Sequence, residues 1–275
     1  MHTIQDLIDL ALAEDIGTGD ITTDAVVSSE STGRGKIVAK EEMILAGLDV
    51  TRQVFLRLDP QTRFATACHD GDRASAGQTV MEIEGRLTVL LQGERTALNF
   101  LQRLSGMATH VRRFVDILGD RPVRLVDTRK TTPGWRVLEK YAVRVGGAHN
   151  HRVGLYDGVL IKDNHIAACG GITAAVERVR RRVSHLVRIE VETANMDQVE
   201  EALAAGAEVI MLDNMDLAAI RRAVTTIAGR AQVEVSGNVT AKTLTPLADT
   251  GVDIISVGAL THQATSVDLS MRIDP

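Results

Sequence analysis

Residues 186–238 read LVRIEVETANMDQVEEALAAGAEVIMLDNMDLAAIRRAVTTIAGRAQVEVSGN. Short apolar runs alternate here with longer amphipathic ones. LVRIEVET leads into MDQVEEALAAG, EVIMLDNM leads into LAAIRRAVTTIAG, and VEVSGN follows. Repeated strand–helix units of this size predict parallel strands joined by right-handed crossovers. The same texture begins near residue 123, with VRLVDTRK before PGWRVLEKYAVRV and GVLIKDNH before ITAAVERVRRRV. It continues beyond the quoted stretch through KTLTPLADTG and DIISVGAL. A TIM-like barrel and a doubly wound sheet both suit this pattern. No GxGxxG follows the first strand, which counts against the dinucleotide-binding version of the second.

The strand ends favour the barrel. Successive strands finish in DTRK, KDNH, EVET, LDN, VSGN and VGALTH. In a barrel the C-terminal strand ends converge on one mouth, whereas a doubly wound sheet gathers its ligands at a switch point. GGAHNHRVG (146–154) is a candidate for a further strand carrying His151 and Arg152.

The first hundred residues are organised differently. A helix is predicted over residues 3–14, a strand at GKIVAKEE and a helix over ILAGLDVTRQVFLRL. Two short strands are predicted around the turn-rich DGDRASAGQ. Leu90, Leu91, Leu98, Leu101, Leu104, Met107, Val111 and Val115 fall near helical spacing and predict one long helix from Leu87 to Leu118. Phe114 and Trp135 read as core residues.

Composition bounds the function. The chain has 275 residues, 44% hydrophobic and 24% charged, which suits a barrel with a smaller companion domain. A net charge of −5 argues against general attraction to nucleic acid or anionic membranes. Cys68 and Cys169 are far apart and suggest neither a disulfide framework nor a zinc site. The acidic start lacks the basic opening of a signal peptide, and no apolar run is long enough for a membrane span. A soluble cytoplasmic protein is expected.

Arg129, Lys130, His151, Arg152 and Lys162 form a basic set at the strand ends. Such a cluster implies a ligand with several negative charges, because buried cations need anions. Pairing with Asp127, Asp157 and Asp163 is the competing explanation. Glu192 and Asp213 end the next two strands and could hold Mg²⁺ or ribose hydroxyls. Glu190, the other acid of EVE, reads as a plain structural residue. The loops at Ser236–Asn238 and around Gly258 bear glycines that let backbone approach a phosphate. His149 and His151 lack the spacing that would complete a metal site. Arg178, Arg180, Arg181 and Arg182 read as a solvated helix face.

These segments together resemble the quinolinate phosphoribosyltransferase family. GERTALNFLQRLSGMAT (93–109), the run DTRKTTPG…LIKDNHI (127–166), EVE (190–192), MLDN (211–214), EVSGNVT (234–240) and GVDIISVGALTH (251–262) carry the likeness. It extends from ALAEDIGTGDITT (11–23) to VDLSMRI (267–273), essentially the whole chain. The resemblance implies an α/β protein: an N-terminal α/β sandwich domain over 1–103, joined by the tail 266–275, and an incomplete seven-stranded TIM-like α/β barrel over 104–265. It implies phosphoribosyl transfer from phosphoribosyl pyrophosphate to the ring nitrogen of quinolinate with loss of CO₂, giving nicotinate mononucleotide for NAD biosynthesis. It implies Mg²⁺ but no organic cofactor, and a homodimer, or a higher homo-oligomer, with a shared active site. The family's functional residues match Arg95, which would act across the dimer, and Arg129, Lys130, His151, Arg152, Lys162, Glu192 and Asp213. Ser236, Gly237, Gly258 and His262 match the phosphate loops. Lys130, Lys162, Glu192 and Asp213 would be catalytic. Gly237-Asn238 stands where the family often has Gly-Gly, and Gly146-Gly147-Ala148 where it often has three glycines, which leaves the part played by Asn238 open. A paralogue of the same fold acting on another acidic substrate is the nearest alternative.

Overall fold

The computed structural model describes residues 4–274 and divides into two compact units. The first comprises the chain up to Arg112, Thr132–Gly147 and the chain from Gln263 onward. It opens with α1 (Ile4–Ile16) and α2 (Ile21–Val26), followed by β1 (Thr32–Ala39), β2 (Met43–Ile44) and α3 (Leu48–Leu58). Then come β3 (Arg63–Ala65), β4 (Arg73–Ala74), β5 (Thr79–Arg86) and α4 (Leu87–Leu118), whose last turns from Arg113 are counted with the second unit. The predicted first helix matches α1, although its residue 3 lies outside the described residues.

Helix α3 begins at Leu48, later than the expected start at Ile44. Gly47 has φ 101°, a left-handed conformation that ends any helical run entering it. The carboxylate of Asp70 accepts the amides of Gly47 (2.8 Å) and Leu48 (3.1 Å), capping the helix from a distant part of the chain. Ile44 is thereby left free to pair with Arg73, placing β2 beside β4. Tyr141 also donates its hydroxyl to Asp70; burial, then that carboxylate, holds the phenol above its ordinary pKa.

Helix α4 spans the predicted 87–118. Leu90, Leu98, Leu101, Leu104, Met107 and Val111 are buried at its helical spacing, but Leu91 lies exposed. Gly106 brings α4 against the backbone near Thr265 and Ser266, where a Cβ would have no room. Phe114 is buried; Trp135 is half-buried, stacked on Phe100 at 4.9 Å.

The second unit starts its strands at β6 (Arg124–Val126). The chain returns to the first unit for α5 (Arg136–Val145), then alternates β7 (Val159–Ile161), α6 (Asp163–Cys169), α7 (Ile172–Arg180), β8 (Ile189–Thr193), α8 (Met196–Ala204), β9 (Val209–Asp213), α9 (Leu217–Ile227), β10 (Gln232–Ser236), α10 (Ala241–Ala248), β11 (Ile254–Ser256) and α11 (Ala259–His262). Six strands form one sheet in the order β6-β11-β10-β9-β8-β7, with parallel ladders throughout. His149 adds an isolated parallel bridge to Val126 at the outer edge of β6. No ladder joins that edge to β7 among the described residues, so the barrel is incomplete, as the family resemblance implies. Short polar caps start its helices: Asn195 for α8, Asp216 for α9 and Thr240 for α10, each accepting an amide of the first turn.

The last strand, β12 (Leu269–Asp274), belongs to the first unit and pairs antiparallel with β1, completing the order β12-β1-β5-β3. No described helix is long and apolar enough to cross a membrane.

Candidate active site

The alternation of side chains along each barrel strand decides what the barrel encloses. In β8, Ile189, Val191 and Thr193 are buried on one face, while Glu190 and Glu192 share the other. In β9, Ile210 and Leu212 are fully buried, leaving Met211 and Asp213 on the opposite parity. In β10, Val233 and Val235 alternate with Glu234 and Ser236.

Glu192, Met211, Asp213, Glu234 and Ser236 of this second parity meet in one cavity of about 530 Å³. Its walls carry Arg129, Lys130, His151, Arg152, Lys162, Glu192, Asp213, Ser236, Gly237 and Asn238, all singled out from sequence. Gly258 and His262 lie beside them: a Cβ on Gly258 would stand 2.9 Å from Lys130 Cδ and 3.3 Å from His262 Nε2. Arg95 is exposed on α4 within the first unit.

Asp127 and Asp157 hold the backbone of the segment that carries His151 and Arg152. Asp127 is fully buried, with one oxygen accepting Asn150 Nδ2 (2.6 Å) and the other the His151 amide (2.9 Å). Asp157 accepts the amides of Val153 and Gly154 at 2.7 Å each. Both acids therefore shape the His151–Gly154 segment. Lys162 does find an acid: its ammonium donates to Glu192 at 2.6 Å. An entering anion would compete for that lysine, and release of Glu192 would free a carboxylate for a cation or a hydroxyl.

Arg152 donates Nη1 to the Gly158 carbonyl at 3.0 Å, next to the start of β7. Burial, then the neighbouring Arg129, pulls its guanidinium below the ordinary value, with Glu190 and Asp157 opposing. An anion set between two guanidiniums relieves that repulsion.

His151 is held at both ring nitrogens. Its Nδ1 accepts the Arg152 amide at 2.8 Å, which leaves the ring proton to Nε2. Nε2–H faces Glu190 Oε2 at 3.0 Å and Glu234 Oε2 at 3.7 Å. Glu190 thus touches a residue of the candidate site, and Glu234, not singled out from sequence, lies beside it. The signal was available in the strand period: Glu190 shares the parity of Glu192, and Glu234 that of Ser236.

Asn238 also acquires a place. Its Nδ2 donates to Asn214 Oδ1 (3.0 Å), and Asn214 Nδ2 donates to Asp213 (2.8 Å). The loops after β9 and β10 are thus tied side by side. Gly237, at φ 95°, lies so close that a Cβ would overlap the Asn214 amide. Asn214 and Asn238 themselves hold positive φ, a conformation asparagine tolerates better than most residues.

Both halves of the chain match family models: residues 20–105 the N-terminal domain, and residues 107–272 the C-terminal domain, of quinolinate phosphoribosyl transferase. The chain belongs to the quinolinate phosphoribosyltransferase family. Among curated relatives it is 45% identical to the probable nicotinate-nucleotide pyrophosphorylase [carboxylating] of Bacillus subtilis, over 98% of this chain and 93% of that protein. It is 47% identical to the protein of the same name from Synechocystis, over 95% and 90%. The crystal structure of NadC from Streptococcus pyogenes superposes with a TM-score of 0.95 at 43% identity, covering 98% of this chain and 96% of that one. The resemblance read from DTRKTTPG, LIKDNHI and their companions is borne out, and with it the fold class.

Proposed function

We propose that this protein transfers a phosphoribosyl group from phosphoribosyl pyrophosphate to the ring nitrogen of quinolinate and releases CO₂ and pyrophosphate, yielding nicotinate mononucleotide. Relatives at 45–47% identity carry the carboxylating nicotinate-nucleotide pyrophosphorylase name, and tobacco relatives at 37% are named decarboxylating quinolinate phosphoribosyltransferases. The observation that carries the reading is the convergence of Arg129, Lys130, Arg152 and Lys162 with Glu192 and Asp213 on one cavity. A pyridine with adjacent carboxylates and a phosphorylated sugar together supply the anions such a wall requires.

In this reading Arg129 and Arg152 grip the carboxylates, Lys130 and Lys162 face the anionic groups, and Ser236, Gly237, Asn238, Gly258 and His262 receive phosphate. Arg95 is assigned to the site of the second copy in a homodimer. Glu192 and Asp213 end neighbouring strands and offer hard carboxylate oxygens, a donor set that fits Mg²⁺. When bound, Mg²⁺ neutralises charge gathering on the pyrophosphate. The ring nitrogen attacks the anomeric carbon as the C–O bond to pyrophosphate breaks. The ring, now cationic at nitrogen, stabilises the electron pair left at C2 when CO₂ departs, and a proton takes its place.

Incubation with quinolinate, phosphoribosyl pyrophosphate and Mg²⁺ tests this. Nicotinate mononucleotide and CO₂ should form in equal amounts. Nicotinate should support turnover roughly a hundredfold or more less well, since one cationic subsite would lack its anion. Equal turnover of nicotinate, or no turnover of either acid, would overturn the reading.

A further inference from the structure

Glu190 and Glu234 stand on β8 and β10, on either side of β9, with His151 Nε2 between their reach. Their side chains are 9% and 2% exposed. One oxygen of each, Oε1, is buried with no hydrogen-bond partner among the described residues. Two ionised carboxylates so placed would repel each other in a poorly solvated interior. Burial and then Glu190 raise the Glu234 carboxyl far above the ordinary range, while His151 and Ser256 oppose.

The cluster has the composition of a metal site, with ligand atoms of His151, Glu190 and Glu234 within 4.8 Å of one another. Hydrogen bonding excludes that use. Nδ1 of His151 already accepts the Arg152 amide proton, so a ring ligating through Nε2 would carry a proton on neither nitrogen. A ring with its proton on Nε2 meets both contacts, accepting the Arg152 amide at one nitrogen and donating to Glu190 at the other.

We propose that Glu190 and Glu234 are positioning residues, which hold His151 as its Nε2–H tautomer so that Arg152 is aimed at a substrate carboxylate. The chain of contacts is continuous. Glu190 receives Nε2–H at 3.0 Å with Glu234 beside it at 3.7 Å, Nδ1 receives the Arg152 amide, and the Arg152 guanidinium is held by Gly158 O at 3.0 Å. Asp127 fixes the same segment from its other side through the His151 amide. Loss of the carboxyl pair would let the imidazole turn and the Arg152 backbone with it. The proposal rests on the quinolinate reading above, so its test separates the two.

The test compares Glu234→Gln and Glu234→Leu with the wild-type protein. Glutamine keeps a neutral donor and acceptor in the same shape, whereas leucine fills the space with neither. Expected for Glu234→Leu is a quinolinate KM raised about tenfold or more, in keeping with a misdirected charge-assisted contact, and an unchanged phosphoribosyl pyrophosphate KM. Glu234→Gln should retain the wild-type quinolinate KM. Equal rises in both KM values, an unaffected quinolinate KM in Glu234→Leu, or a glutamine variant as poor as leucine would each overturn the positioning role. A readout independent of turnover is the ¹⁵N spectrum of the histidine rings, with His151 assigned by its loss in His151→Gln. A neutral Nε2–H ring supports the proposal; a Nδ1–H ring or an imidazolium defeats it. Wild-type protein that ignores quinolinate would count against the function, while the tautomer result would still judge the network.

Discussion

Single residues carry two consequences that can be measured. The Glu234 carboxyl is pushed up to about 8 by burial and by Glu190 beside it. A carboxyl raised in the folded state binds its proton more tightly there than in the unfolded chain. Its stabilising contribution is therefore complete below the unfolded value, near the ordinary glutamate range, and is lost as pH rises through about 8. Thermal unfolding followed between pH 5 and 9, roughly the span of those two values, should show wild-type Tm falling across it. Glu234→Gln, which has no proton to lose, should flatten that fall. Gly237 gives the second consequence. Alanine there combines positive φ with overlap on Asn214, and of order 1–3 kcal/mol of strain has to be relieved by moving the loop. Gly237→Ala is expected to lower the affinity for phosphoribosyl pyrophosphate far more than that for quinolinate, as titration calorimetry can show.

Elements are decided by periodicity where a segment's own side chains suffice, and by distant partners where they do not. Helix α4 is the first kind: its apolar spacing marked Leu87–Leu118, and those are its bounds. Leu91 lies exposed because eight apolar positions near helical spacing cover a wider arc than the face that packs. The start of α3 is the second kind, since Asp70 lies more than twenty residues from the amides it caps. Glycines inside α4 have tertiary reasons as well. Gly106 faces the backbone of Ser266, whose Cα would lie 2.8 Å from an added Cβ, and backbone cannot swing aside as a side chain can. Gly106→Ala should destabilise by about 2–3 kcal/mol despite alanine's better helix propensity, which denaturant unfolding of the purified variant will measure. A neutral or stabilising result would mean that the segment at Thr265–Ser266 yields easily.

At the scale of the whole molecule, Arg95 and the barrel cavity belong to different compact units of the chain, and the proposed homodimer assigns Arg95 to a neighbour's site. Arg95→Ala and Lys162→Ala homodimers are each expected to be nearly inactive. Mixed by co-refolding, they should regain up to about a quarter of wild-type activity, because random pairing makes half the dimers hybrid and each hybrid has one complete site. Subunit exchange demonstrated by mass, with no recovery of activity, would refute the assignment.

Sequence by itself determined the parallel strand–helix order, the long helix and the set of chemically loaded strand ends, because each is written in local periodicity and in what ends a strand. It also carried the family, through long ordered blocks such as DTRKTTPG and LIKDNHI. Tertiary structure alone decided which polar groups meet. Lys162 reaches Glu192 from the neighbouring strand, Asp127 turns inward to hold the His151 segment, and Asn238 ties to Asn214. The pair of contacts made by the His151 ring was the least legible feature. A histidine's protonation is set by the hydrogen bonds at its two nitrogens, and here one comes from the Arg152 amide while the other goes to an acid 39 residues away. No spacing within a strand encodes that meeting, since it depends on barrel register and on how far burial raises the pKa of a carboxyl.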